Sequence, residues 1–316
     1  MINTHSHIFV PGALGFVGQS VINKLKQCGY TNITTSDKKS LDLTSQRDVR
    51  NFFDQIKHID MVIMAAGQKG SIIDMKQKAA EMLWNNLQMQ LNVIDCCNTQ
   101  ETQIILIGSA AIYPAGCGLP QHEEDLLNGK CDESLEYYAL SKIIGIKMVN
   151  IFRAQKKLKG ITFNPPNLYG EKDNYGEGSN VIASLLSKFI IAKRNNLKQI
   201  KIWGSGNQIR DFLHVDVFAD ALVKLLDKIE AITTQYPDGH INIGSGVPYS
   251  IKNVVDILKA ITAYDGEIIY DTTMPSGVDK YFCIDRFKSV YPNFCIPDLS
   301  VGLQETYQNI IKNNVI

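Results

Sequence analysis

Ile8-Phe9-Val10-Pro11-Gly12-Ala13-Leu14-Gly15-Phe16-Val17-Gly18 decides the architecture of this chain. A short apolar run enters three glycines spaced three apart, and an amphipathic stretch over 19–27 follows, with Gly29 placed to end it. Strand, glycine turn and helix start, in that order, suit a dinucleotide. Gly12, Gly15 and Gly18 allow a tight turn and close approach to pyrophosphate, and the helix N-terminus, where Phe16 and Val17 sit, favours its charge. The plainer alternative is a β-α turn without a ligand. About twenty residues further on, Asp37 ends a second strand over 33–36. A carboxylate there accepts hydrogen bonds from the adenosine ribose 2′-OH and repels a 2′-phosphate, which favours NAD(H). Lys38 and Lys39 follow directly and can instead hold a 2′-phosphate, so NADP(H) stays open. Asp42 and Leu43 are placed to flank the adenine. Ala65-Ala66-Gly67 ends the third strand, where backbone passes close to a dinucleotide.

Working outward, helices are expected over 48–56 and 81–97 and strands over 61–65 and 104–107. Tyr138 lies in a helix reaching to about residue 155, and 161–163 forms another strand. Strands alternating with helices imply a Rossmann-type parallel sheet with helices on both faces, an α/β fold. The later part is less regular, with a helix over 181–192, strands over 200–203 and 267–270, a helix over 251–260 and a terminal helix. Ile241-Asn242-Ile243-Gly244 reads as a strand returning to the main sheet. The expected division is a dinucleotide-binding domain over 1–170 with 213–246, and a smaller C-terminal α/β substrate lobe over 171–212 with 247–316. A cleft between them would hold the substrate.

With 316 residues, 45% hydrophobic and zero formal net charge, the chain suits one large α/β unit or two lobes sharing a core. No basic block marks a nucleic-acid face, and no apolar run is long enough to span a bilayer or to serve as a signal-peptide core. Seven cysteines without metal-type spacing read as free thiols in a reducing cytoplasm. Six scattered histidines form no HxxxH or HxH pair within a helix or strand, so no metal site is expected.

Chemistry concentrates at Tyr138-Ala139-Leu140-Ser141-Lys142, a short segment after Ser109. Tyr138 and Lys142 are four apart and share a helix face. A cation beside a phenol favours the phenolate, and the tyrosine can then trade a proton with a hydroxyl or carbonyl. Ser109 can give that oxygen a second hydrogen bond. Alone, Y-x-x-x-K is common on surface helices, and its force comes from the glycine turn and serine around it.

Together these residues resemble the extended short-chain dehydrogenase/reductases. Gly108-Ser109-x-x-Ile112-Tyr113-Pro114, Asn167-Leu168-Tyr169-Gly170, Trp203-Gly204-Ser205-Gly206, Arg210 to Asp216 and Ile241 to Gly246 narrow this to the GDP-L-fucose synthase family. That family epimerises C3 and C5 of a GDP-4-keto-6-deoxymannose and then reduces C4 with a nicotinamide hydride. The resemblance implies that Tyr138 is the proton donor, that Lys142 lowers its pKa and holds the nicotinamide ribose, and that Ser109 binds the C4 oxygen. It places Pro165, Asn167 and Leu168 near the nicotinamide. Asn167, Asn180, Val181, Lys188, Trp203, Arg210 and Lys280 fall near the sugar or nucleotide diphosphate. Arg210 and Lys280 make sense there as charge partners for phosphates; an ordinary surface or packing role is the alternative for these residues.

Two departures matter more than the matches. The family's epimerase cysteine is replaced by Ala111 and its histidine by Asn180. Neither can abstract a proton next to a carbonyl, which needs a group of usable pKa. Cys117, in the loop over 114–118, is a poor rescue. The implied activity is C4 reduction of a GDP-linked 4-keto-6-deoxy sugar or a related keto-heptose, without epimerisation. The alternatives are a bifunctional GDP-L-fucose synthase, a 4-epimerase with bound NAD, and a non-catalytic dinucleotide-binding protein. A 4,6-dehydratase is disfavoured because alanines follow Ser109. The resemblance also implies a homodimer through the helices over 81–97 and 138–155. Met82, Leu83, Met89, Ile143, Ile146 and Val149 either line that seam or pack on the sheet.

Overall fold

Ile8–Pro11 forms β1, buried throughout. The strands at the centre of its sheet alternate between two apolar faces. In β1, β3 (Met61–Met64) and β4 (Gln103–Ile107), Ile8, Val10, Met61, Ile63, Ile105 and Ile107 enter one core. Phe9, Val62, Met64, Ile104 and Leu106 enter another. A sheet buried on both faces calls for parallel strands with helical crossovers. The computed structural model, which describes residues 2–56, 58–70, 75, 77–156, 158–176, 178–273 and 277–316, has that arrangement. Adding β2 (Ile33–Ser36), β5 (Gly160–Asn164) and β10 (His240–Asn242) gives a six-stranded sheet in the order β2-β1-β3-β4-β5-β10. All its pairs are parallel.

Helix α1 (Phe16–Gln27) packs through Val21 and Leu25 on the first face, beside α6 (Val215–Lys224) with Phe218 and Leu222. Helices α2 (Gln46–Gln55) and α3 (Ala79–Thr99) cover the other with Val49, Phe53, Val93, Ile94 and Cys97. Each such side chain contributes about 1.5–3 kcal/mol of burial. Ser45 caps α2 by accepting from Asp48 N. Helix α4 (Glu136–Lys156) lies along α3. Gln90 on α3 donates to the carbonyls of Asn86 and, across the seam, Ser141.

A separate core gathers Leu185, Leu186 and Phe189 of α5 (Val181–Arg194), Val254, Val255 and Leu258 of α8 (Ile251–Thr262), and Leu303 and Ile310 of α10 (Leu299–Asn313). Beside it β7 (Gln199–Trp203) pairs in parallel with β12 (Glu267–Asp271). Short strands β6 (Asn167–Tyr169) and β9 (Phe212–His214) pair in parallel, and β8 (Ile209–Arg210) pairs antiparallel with β11 (Tyr249–Ser250). Helices α7 (Ile229–Gln235) and α9 (Asp285–Val290) complete the set. All seven cysteines are free. No described helix is long and apolar enough to cross a membrane.

Of the residues named for a helical seam, Met82 is buried, Ile143, Ile146 and Val149 belong to the sheet's cores, and Met89 packs against one of them. Exposed on these helices instead are Trp84, Ile144 and Ile151.

Candidate active site

At Gly12 the chain turns with φ +82°, a conformation that side chains resist. A Cβ there would lie 2.5 Å from Ala66 N, and one on Gly18 would lie 2.2 Å from Gly12 O. The glycines therefore let the end of β1, the end of β3 and the start of α1 close on one another. This happens where strand order reverses, with β2 on one side of β1 and β3 on the other, the place where open α/β sheets bind ligands. Gly15 caps α1 without a side chain, and the first turn carries no acidic residue, so the helix start suits an anion.

Two adjoining cavities of about 320 and 330 Å³ share Gly15, Ala65, Ala66, Gly67 and Gln68 and form one groove. Phe16, Val17, Ser109, Tyr138, Lys142, Pro165, Asn167, Leu168 and Asn180 line the first. Gly12, Asp37, Lys38, Asp42 and Leu43 line the second. The groove's glycine cradle fits a dinucleotide. Both carboxylates at its far end are engaged locally. Asp37 Oδ1 accepts from Lys39 N at 2.9 Å and Ser40 N at 2.8 Å, and the Ser40 bonds lower its pKa. Asp42 Oδ1 accepts from the Thr44 amide and hydroxyl at 2.9 and 2.7 Å.

Ser109 sits just past β4, where its Oγ accepts from Ala111 N at 3.1 Å and starts a short 3-10 turn over Ala110–Ile112. It also acts on the Tyr138 hydroxyl, in the direction that lowers the phenol's pKa. Lys142 donates to Ile107 O at 2.8 Å, and its Nζ lies 5.8 Å from the centre of the Tyr138 ring. Burial raises the Tyr138 pKa, with Ser109 acting against it. The expectation that Lys142 draws the phenol down is therefore not met in this geometry. The ammonium lies over the ring and donates to a carbonyl. Lys142 itself is lowered to about 8, first by burial and then by the charge of Lys69.

The remaining residues fall in several places. Asn167 donates through N and Nδ2 to Asp211 O at 3.2 and 3.1 Å. Asn180 bonds Lys69 and Asp173, and Val181 packs on the second core. Lys188 donates to Lys201 O at 2.8 Å and lies 5.6 Å from the centre of the Trp203 ring, which is 65% exposed. Arg210 Nη1 donates to the carbonyls of Ile209 and Val278 at 2.7 and 2.5 Å. Lys280, 8% exposed, pairs with Asp132 at 3.0 Å. These last four do not line the groove described above.

Sequence reasoning missed three contributors. Buried Asn86 on α3 accepts from Gln68 N at 2.7 Å and donates to Gln68 O at 2.9 Å, clamping the loop after β3. Its signal was a polar residue at helical spacing from Gln90, on the face that Val93 and Cys97 bury. Lys69 and Asp173 line the reactive cavity from loops, where no periodicity marks them. A fourth cluster lies elsewhere: Glu171, His214 and Asp216 each place a potential metal-ligand atom within 4.8 Å of the others. His214 Nδ1 already accepts from Asp216 N at 3.2 Å as the cap of α6.

Comparison with known proteins agrees with this geometry. The GDP-L-fucose synthase 1 of Arabidopsis thaliana is 35% identical over 99% of this chain and 95% of its own length. A solved GDP-6-OMe-4-keto-L-xylo-heptose reductase from C. jejuni superposes with a TM-score of 0.91 at 27% identity, covering 99% of each chain. A GDP-mannoheptose C4 reductase from Campylobacter jejuni, solved with NADP bound, gives 0.89 at 26% identity over 98% of this chain and all of that one (100%). The expected preference for NAD(H) finds no support among these proteins. The NAD dependent epimerase/dehydratase model matches residues 8–244, from β1 through the glycine cradle and the Ser109, Tyr138 and Lys142 cluster to the last strand of the sheet; the chain belongs to that family.

Proposed function

We propose that the chain is an oxidoreductase, an NADPH-dependent C4 reductase of a GDP-linked 4-keto sugar that leaves C3 and C5 unchanged. The observation that carries this reading is one cavity holding Ser109, Tyr138 and Lys142 within the dinucleotide groove, with the amide of Asn180 on its wall; Ala111 stands at the sequence position of the family's cysteine. When bound, a nicotinamide held along the glycine cradle and by Pro165, Asn167 and Leu168 would supply a hydride to the carbonyl carbon. Ser109 donates a hydrogen bond to the carbonyl oxygen and orients it. Tyr138 breaks its O–H bond and gives the proton to that oxygen, leaving an alcohol and a phenolate. Solvent reprotonates the phenolate, and the Lys142 charge beside the ring favours the carbonyl oxygen as it gains negative charge. Positioned proton transfer of this kind contributes about 10²–10⁴ in rate.

NADP(H) is the favoured cofactor because Asp37 closes its own turn, while Lys38 borders the cavity. The substrate lobe is taken as 171–212 with 247–316, where exposed Trp203 beside Lys188 offers a shelf for a base and Arg210 a charge for phosphate. The chain pairs with a second copy through α3 and α4.

Incubation with GDP-4-keto-6-deoxymannose and NADPH or NADH in D2O, followed by NMR and mass analysis, tests the reading. Reduction at C4, faster with NADPH and without deuterium at C3 or C5, is the expected result. Deuterium at either carbon returns the bifunctional synthase, and no hydride transfer to any GDP-4-keto sugar refutes the assignment.

A further inference from the structure

Asn180 is the N-cap of α5, a place where asparagine ordinarily accepts from an amide of the first turn. Its side chain makes no such bond. The amide is held from both ends instead. Nδ2 donates to the two carboxylate oxygens of Asp173 at 3.2 and 3.3 Å, and Oδ1 accepts from Lys69 Nζ at 3.0 Å. A flipped amide would press its oxygen against two carboxylate oxygens, so Asp173 fixes the orientation and aims Oδ1 at Lys69. Asp173 is fixed in turn by the Asn174 amide, which donates to its Oδ1 at 2.8 Å.

This chain of bonds ends on the wall of the reactive cavity. Lys69, Asn180 and Asp173 line the same space as Ser109, Tyr138 and Lys142. An ammonium has three donors, and Asn180 takes one. A second cation in a pocket that already contains Lys142 is repelled by it, so a ligand rich in acceptor oxygens is favoured over an apolar one. We propose that Lys69, positioned through Asn180 by Asp173, binds an oxygen substituent of the sugar ring and so sets which sugar the cavity accepts. This assignment rests on the GDP-sugar reading and names the residue that reads the sugar within it.

Isothermal titration with GDP and with GDP-mannose, against wild type and Lys69→Met, separates sugar from nucleotide. The expected result is tighter wild-type binding of GDP-mannose than of GDP. In the variant, GDP affinity stays within about twofold while GDP-mannose weakens by about 10- to 100-fold, the range for a lost charged hydrogen bond. Lys69→Arg restores part of the difference, and Asn180→Ala, which frees the ammonium, gives a smaller loss of the same kind. These two variants carry the test if Lys69→Met fails to fold, as judged by circular dichroism. Equal weakening of both ligands, no weakening of either, or a wild type that gains nothing from the mannose overturns the assignment while the nucleotide reading stands. A wild type that binds no GDP at all refutes the GDP-sugar reading, and the role of Lys69 falls with it.

Discussion

Gly12→Ala puts a methyl group into the tightest backbone approach of the groove. Two costs add. At φ +82° the new side chain occupies the left-handed region, at roughly 1–2 kcal/mol. Its Cβ would then stand 2.5 Å from Ala66 N, 2.6 Å from Ala66 Cα and 2.7 Å from Ala65 C, all backbone atoms that no rotamer change can move. Reaching ordinary contact means opening the β1 turn from the end of β3 by roughly 1 Å, an overpacking cost of about 1–3 kcal/mol. The sum, about 2–5 kcal/mol, lowers Tm by roughly 3–8 °C for a chain of this size. Gly116→Ala is the control. Gly116 has φ +84°, but nothing lies within 4 Å of its Cβ, so only the backbone term applies. Calorimetry should find Gly12→Ala several degrees below Gly116→Ala, and fluorescence titration should find NADPH binding weakened only in the former. Equal melting of the two variants, or wild-type NADPH affinity in Gly12→Ala, would refute the close approach on which the dinucleotide groove is built.

Tyr138→Phe should lower hydride transfer by about 10²–10⁴ with little change in NADPH affinity, read by stopped-flow absorbance. Reduction uses the Lys142 charge, and that amine is held at about 8 by burial and by Lys69. The rate should fall as pH rises through about 8, and Lys69→Met should move this limb to higher pH. Burial raises Asp211 to about 6, above an unfolded value of about 3.9, against the hydrogen bonds it accepts. Between these values the folded state holds a proton that the unfolded chain has released. Its contribution to stability therefore falls as pH rises from about 4 to 6. Asp211→Asn should flatten that slope in denaturant titrations. At pH 7 the variant should still lose about 1–3 kcal/mol, because an amide cannot accept from Ser245, Gly246 and Phe282 together. Trp84→Glu with Ile144→Glu should leave a folded monomer by sedimentation; an unchanged dimer would place the contact elsewhere.

Local signals made the sheet legible. The run from Ile8 to Gly18, the strand over 33–36 and the alternation around Met61 and Ile104 each depend on neighbours within a few residues. Strands of two or three residues, such as Ile209–Arg210 and Tyr249–Ser250, are too short for any period and exist because their partners hold them. Helix Val215–Lys224 was hidden inside a stretch read for its motif, although His214 caps it. At the site, Ser109, Tyr138 and Lys142 were readable because their spacing is itself the chemistry. Lys69 was not, since Asn180 lies 111 positions away. The resemblance suggested phosphate for Lys280, yet Asp132, 148 positions away, already meets it. The spacing of Tyr138 and Lys142 predicted a cation near a phenol but carried no information on burial, which dominates the phenol's proton affinity.

Asp211 gives the molecule a mechanical property. Its carbonyl receives Asn167, and its amide reaches Lys280 O at 3.1 Å. Its carboxylate receives Ser245 N at 3.0 Å, Ser245 Oγ at 2.5 Å, Gly246 N at 3.2 Å and Phe282 N at 3.4 Å. These are places where the chain passes between the central sheet and the second core. One residue thus ties these crossings together, so a load on any one of them is shared by the others.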